Sequence, residues 1–464
     1  MRTIITGPSL GPNSRQAKAC GTRSWLTLCM AAVACGPFAG SNVPKRSPLA
    51  EKWLTRAQAS YKSGDFDDAK ASTNEALRVA PHDDDVRLIG AQVALAKLEY
   101  GEAIRLTDGL ASTEAHRLRG RAHWYAGDLE LAADDLEAEI ADPAVKDTWA
   151  RDVAKLARNG NGRHPFAIEG SGAVDVDMPP AGSALIVPLE LDGERVLGMI
   201  ATGNSEVVVD AGSRHEPQWV SLRFSSLRFS NKIEVKDVPA LPQDLSALSR
   251  QVGGTIKVLL GTDFLRHAHA TFDRRGSQFV VRPFEAAAPP NASRVPLFYV
   301  RGDDMLMRVA VSPRDDGTGL LFVDSSQAFS LALDDAMWRK AGVDLKTLQA
   351  APNAPNTKAG ALPAFRIAGV DMPGVPAFSL SAVGDHLPAV NLDLGGVVGA
   401  AMLELFRITF ADEGRFAWFE PDPTLFTTVP PDPNKGLPPP PMTDDTPSPQ
   451  RPVTNKPDAG APKK

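Results

Sequence analysis

The chain has 464 residues, 43% hydrophobic and 23% charged, an ordinary globular composition with room for two or three cored domains. Lys and Arg number 50 against 56 Asp and Glu, a formal net charge of −6. That balance excludes a nucleic-acid binder working through a basic face and sets no enzyme class. The 3 cysteines, Cys20, Cys29 and Cys35, all lie near the N-terminus, so the body of the chain can hold no disulfide, no Cys-ligated zinc and no cysteine nucleophile.

Arg15, Lys18 and Arg23 precede the apolar run Trp25–Ala34. Basic, then apolar, then small is the order of a secretory signal, and the run falls short of the roughly 20 residues that span a bilayer. Ala32-Val-Ala-Cys35-Gly-Pro resembles a bacterial lipoprotein signal, with Ala32 where Leu is usual. The resemblance implies that Cys35 is lipidated and anchors an exported protein to an envelope membrane, facing the periplasm or the cell surface. A plain secretory signal with an incidental cysteine is the alternative. Residues 1–35 are therefore expected to be signal, and 36–50, rich in Gly, Pro and Ser, a tether.

Residues 51–158 carry an internal period. Gly64-Asp-Phe66-Asp-Asp-Ala69 recurs as Leu98-Glu-Tyr100-Gly-Glu-Ala103 at an offset of 34, and as Gly127-Asp-Leu129-Glu-Leu-Ala132 after a further 29. Trp53, Ala57, Tyr61, Ala76 and Pro81 complete the set: large residues on the first helix, Ala where axes cross, Pro where the second helix stops. The pattern resembles the tetratricopeptide repeat. The resemblance implies a helical stack with a groove for peptides or proteins, and a spacer packed on the next domain is the equal alternative. His116 and His123 are seven apart and read as packed or solvated rather than as metal ligands.

After Asn159-Gly-Asn-Gly162 the pattern turns to short alternating strands, and residues 165–283 recur as 284–421. Gly261 and Gly399, Thr271-Phe272 and Thr409-Phe410, Gly276 and Gly414, and Pro283 and Pro421 all stand 138 apart; Val238-Pro-Ala240 and Val375-Pro-Ala377 stand 137 apart. Val187-Pro-Leu189 and Val295-Pro-Leu297 are expected to open the two copies. A hairpin, Ile186–Leu191 with Val196–Ile200 through Asp192-Gly193, leads to the loop Ala201-Thr-Gly203. The second copy offers Phe322-Val-Asp324-Ser325-Ser326.

These features resemble the retropepsin-like aspartic peptidases, in a two-lobed single-chain form. The resemblance implies an all-β, two-lobed acid-protease-like barrel domain following the all-α repeat. Each lobe would carry Asp-Thr/Ser-Gly on a loop, with an apolar-apolar-Gly segment (here ending at Gly261 and Gly399) threaded beside it. Peptide hydrolysis in that family needs two carboxylates sharing one proton over a water, since like charges that close cannot both ionise. Here Ala201 occupies the first carboxylate position, with Thr202 and Gly203 intact. Asp324 and Ser325 are present, but Ser326 replaces the second Gly. Glu206 and Asp210 are the nearest other acids, and neither is expected to substitute.

The expectation is a protein that has lost catalysis, with Asp324 capping its own loop and the interlobe cleft or the helical groove binding a peptide or protein partner. The competing expectation is an active endopeptidase with an atypical dyad using Asp324. No cofactor and no metal are expected; His267 and His269 share one face without a third ligand. The Pro-rich tail, 422–464, lacks the apolar surface to fold.

Overall fold

The computed structural model describes residues 46–312, 317–351, 354–380 and 391–422. The signal-like segment, Cys35, most of the tether and the tail from 423 onward lie outside the described residues. From Arg46 the chain forms one compact unit, a helical region followed by a β-rich one.

The helices are α1 (Pro48–Lys62), α2 (Phe66–Val79), α3 (Asp84–Ala96), α4 (Tyr100–Thr107), α5 (Thr113–Ala126), α6 (Leu129–Ile140) and α7 (Thr148–Arg158). The first begins within the stretch expected to be tether. Ser47 accepts from the Ala50 N–H, and Pro48 sits where no amide partner is needed. The 29-residue offset has its cause in α4, which has 8 residues against 14 in α2 and 12 in α6. Small residues mark the crossings: a Cβ on Gly90 would stand 2.9 Å from Leu106 and Thr73, and one on Gly120 2.9 Å from Leu136.

The first β copy comprises β1 (Ala167–Gly170), β2 (Val174–Asp177), β3 (Ile186–Leu191), β4 (Glu194–Ile200), β5 (Val207–Asp210), β6 (Gln218–Ser225), β7 (Lys232–Gln243), α8 (Ser246–Val252), β8 (Ile256–Leu260), α9 (Thr262–His267), β9 (Thr271–Asp273) and β10 (Gln278–Val281). The second comprises β11 (Ser293–Val300), β12 (Asp304–Ala310), β13 (Thr318–Asp324), β14 (Leu331–Leu333), α10 (Asp335–Lys340), β15 (Gln349–Ala351), β16 (Ala354–Leu362), β17 (Phe365–Ile367), β18 (Val370–Met372), β19 (Val375–Ser379), β20 (Leu394–Gly399), α11 (Ala400–Leu403), β21 (Phe406–Ala411) and β22 (Phe416–Pro421).

One pairing scheme occurs twice. β4 runs parallel to β8, β8 antiparallel to β5, and β5 parallel to β7. Likewise β13 runs parallel to β20, β20 antiparallel to β14, and β14 parallel to β19. The copies join through six strands in the order β11-β22-β21-β9-β10-β2. At the centre Thr271 pairs with Thr409 across β9 and β21, their hydroxyls 2.8 Å apart. Positions 138 apart in sequence thus meet at a local two-fold.

The Val-Pro-Leu match needs correcting. Val187–Leu189 lies on β3, the hairpin partner of β4, whose counterpart is β12 beside β13. Val295–Leu297 lies on β11, which pairs with β22 as β2 pairs with β10. Both tripeptides bury Val and Leu and expose Pro, so the match reports strand alternation, not equivalent position.

The helices lie across both copies. Phe66 packs on Phe298 of β11, ring centroids 4.8 Å apart, and Tyr61 and Leu54 share a core with Leu306, Leu320 and Phe322. Trp124 meets Trp219 of β6 at 6.1 Å, and the Trp219 indole donates to the Leu156 carbonyl at 3.2 Å.

Candidate functional site

The loops after β4 and β13 meet at the two-fold. The Thr202 N–H donates to the Ser325 Oγ at 3.0 Å, and the Ser325 N–H donates to the Thr202 Oγ1 at 2.9 Å. Each hydroxyl then donates across to the other strand: Thr202 to the Val323 carbonyl and Ser325 to the Ile200 carbonyl, both at 2.9 Å. This reciprocal set makes Ala201 and Asp324 equivalent in place, one step before each hydroxyl residue. All four are buried, so each bond replaces water that cannot enter.

The two positions differ in chemistry. Asp324 Oδ1 accepts from the Ser326 N–H at 2.9 Å and the Ser326 Oγ at 2.6 Å, and Oδ2 accepts from Gln327 Nε2 at 3.0 Å. Ala201 presents only a methyl group, packed in an apolar cluster with Ile186, Met199, Val208 and Leu259. A Cβ on Gly203 would stand 2.5 Å from the Asp324 carboxyl carbon, so glycine is what lets a carboxylate sit opposite.

Gly261 and Gly399 press on these loops from behind. A Cβ at 261 would lie 2.2 Å from the Glu206 carbonyl oxygen, and one at 399 would lie 2.2 Å from that of Phe329. Gly261 follows β8 directly and Gly399 ends β20, and each is the N-cap of the short helix that follows, α9 or α11.

The acids weighed as substitutes lie elsewhere. Asp210 pairs with Lys257 at 2.6 Å; the hydrogen bond from that ammonium holds its carboxyl below the usual carboxylate range. Glu206 is buried and accepts from the Tyr125 hydroxyl of α5 at 3.0 Å and from the Ser205 hydroxyl. Burial pushes its carboxyl up, and Asp303 and Asp263 add to this. Glu206 opens on a cavity of about 730 Å³ walled by α5 and α7 (Arg121, Trp149), by the β11–β12 turn (Asp303, Asp304) and by the outgoing arm of the Ala201 loop. Arg121 is buried there, 2.5 Å from Asp303 and stacked 3.8 Å over Trp149. Burial and Asp303 raise the Asp304 carboxyl well above its ordinary value.

Sequence reading missed Tyr125, Arg121, Asp303 and Asp304, because residues more than a hundred positions apart on helix and turn share no local pattern. The histidines are packed or paired: His267 stacks on Phe166 at 4.4 Å, His269 faces Glu285 at 2.7 Å, and His116 faces Asp135 at 2.8 Å. Among the described residues no three or more His, Cys, Asp or Glu gather as a metal site.

No protein-family model matches the chain, and no curated protein matches it. Three solved structures are similar to parts of it. The Arabidopsis OM64 TPR domain is 19% identical over 24% of this chain and 95% of its own, with a TM-score of 0.22. A retropepsin-like aspartic protease from Rickettsia conorii is 16% identical over 28% of this chain and 90% of its own, at 0.21. Basic 7S globulin from soybean is 11% identical over 55% of this chain and 95% of its own, at 0.36.

Proposed function

We propose that this chain is a catalytically silent protein of the two-lobed aspartic-peptidase type, carried behind a tetratricopeptide-type array, that binds a peptide or protein at the cell envelope. The observation that carries the reading is the asymmetry at the two-fold: a carboxylate at Asp324 and a methyl group at Ala201. Hydrolysis by a shared-proton pair needs one group as base and its neighbour as acid; a single aspartate supplies one of the two. Asp324 is also engaged by three donors from its own loop, which suits a capping role. Peptide binding is assigned to the cavity beside this loop, where polar groups from the helices and both β copies converge. Export and a lipid anchor on Cys35 rest on the signal-like sequence alone.

The test is cleavage of a denatured-protein substrate between pH 3 and pH 6 by the purified mature chain and by Asp324→Ala. Equal, background-level cleavage by both supports the reading. Cleavage by the wild type that Asp324→Ala abolishes overturns it in favour of an endopeptidase with an atypical dyad. Radiolabelling of Cys35 with palmitate, absent in Cys35→Ser, tests the anchor.

A further inference from the structure

One face of the helical array is filled by the chain itself. The hairpin β11–β12 lies along it: Phe298 rests on Phe66, and Lys97, just after α3, stands 5.8 Å over the Phe298 ring. The turn Arg301-Gly302, with φ of +54° and +85°, fits between α3 and α5. A Cβ on Gly302 would be 3.1 Å from Tyr125 and 3.5 Å from Leu95. Asp303 then takes the buried Arg121. An apolar anchor, a tight turn and a buried ion pair make this strand pair the occupant of the groove.

The same helices grip both β copies. On the second copy, the Asp393 N–H donates to the Lys62 carbonyl at 2.7 Å, and Arg308 reaches the Gly64 carbonyl. On the first, Tyr125 donates to Glu206 and Tyr100 takes the guanidinium of Arg266 on α9; past the end of α7, Arg163 pairs with Asp237 at 2.6 Å. Relative movement of the two copies would have to break this span.

We propose that the helical array is an intramolecular clasp that holds the two β copies together, its groove occupied by the chain's own hairpin, and that the clasp loosens when Glu206 ionises. This goes beyond the peptide-binding reading and stands whether or not the chain cleaves peptides.

The groups around Glu206 set the sign. Tyr125 and Ser205 face it as hydroxyl donors. Trp149 of α7 shares its cavity. Asp303 and Asp304 of the hairpin turn and Asp263 of α9 face it as acids, the first paired with Arg121 and the last with Arg266. Lys146 and Arg301 lie on the wall of the same cavity. Burial raises the Glu206 carboxyl, the hydrogen bond from Ser205 opposes this, and Asp303 and Asp263 add to the rise. A carboxyl raised in the folded state favours folding fully below its unfolded value, near 4.5. That contribution falls as pH climbs from there to the folded value, and above the folded value the loss is complete. Asp304 acts in the same direction.

The experiment is amide hydrogen exchange of the mature chain at pH 5, 6.5 and 8, corrected for intrinsic rates, together with thermal melts. Protection in α5 and in the turn Val300–Asp304 is expected to fall as pH rises, by at most about tenfold per pH unit for one group. Protection in β9 and β21 should stay flat. Glu206→Gln, which keeps the shape and can accept from Tyr125 but cannot ionise, should reduce the slope to the part Asp304 contributes and melt above the wild type at pH 8. Should Glu206→Gln not fold, the wild-type contrast between seam and two-fold strands decides. A slope unchanged in Glu206→Gln, a uniform slope over the whole molecule, or none at the seam overturns the proposal. So does full binding of peptides to the array face without loss of hairpin protection.

Discussion

The two β copies share one pairing scheme and differ where chemistry would occur. The first has Ala201, Thr202 and Gly203; the second has Asp324, Ser325 and Ser326. Gly203 stands opposite the Asp324 carboxylate. The copies also differ in the chain between the loop and the returning strand. In the first, seven residues link β5 to β6. In the second, α10 and β15 stand between β14 and β16, the strand that pairs antiparallel with β19. What the two copies hold in common is the reciprocal Thr202–Ser325 contact.

The comparison breaks most forcefully at the glycines behind the loops. Gly261→Ala or Gly399→Ala forces a methyl group to 2.2 Å from backbone oxygen, atoms that cannot rotate away. Each is expected to lower unfolding free energy by about 3 kcal/mol in urea, and a loss under about 1 kcal/mol would show that the loops are looser than described.

Thr202→Val leaves the buried Ser325 N–H and Val323 carbonyl without partners, a loss of about 2 kcal/mol; Ser325→Ala should cost about the same by the mirror argument. The double variant is expected to lose well under the sum, since both act on one network. Strict additivity in denaturant titrations would deny the coupling.

Gly203→Ala should cost about 1–2 kcal/mol in the wild type and much less in an Asp324→Ala background, a cycle that measures the contact directly. Ala201→Asp with Ser326→Gly gives both loops the order Asp, Thr or Ser, Gly. It should be more stable than Ala201→Asp alone and should gain cleavage at acid pH, checked against the same variant carrying Asp324→Ala.

The smallest effect is expected for Asp324→Asn. The amide oxygen still accepts from Ser326, so the melt should shift by the equivalent of about 1 kcal/mol or less, with background cleavage unchanged.

Much of the site could be read from residue order. The 138-residue offset placed Gly261 against Gly399 and Thr271 against Thr409, and those pairs do stand at equivalent or touching positions, because a duplicated packing constraint leaves duplicated small residues. The loop pair Ala201–Gly203 and Asp324–Ser326, 123 apart, does not share that offset and was legible only through the resemblance to the aspartic-peptidase loop motif. The Val-Pro-Leu pair misled, since alternation of buried and exposed residues is common to every half-buried strand. The setting of Glu206 was not legible, since its partner Tyr125 lies 81 positions upstream on a helix, where no spacing rule connects them.

Amino-acid order alone determined the helical period, the internal duplication and the absence of a second carboxylate, because each is a property of local spacing or residue type. Only the tertiary structure decided that the helical face is filled by β11–β12, that Asp324 is engaged by its own loop, and that Glu206 is buried against Tyr125. Those facts depend on which surfaces exclude water from one another, and that is settled by long-range packing rather than by neighbours in the chain.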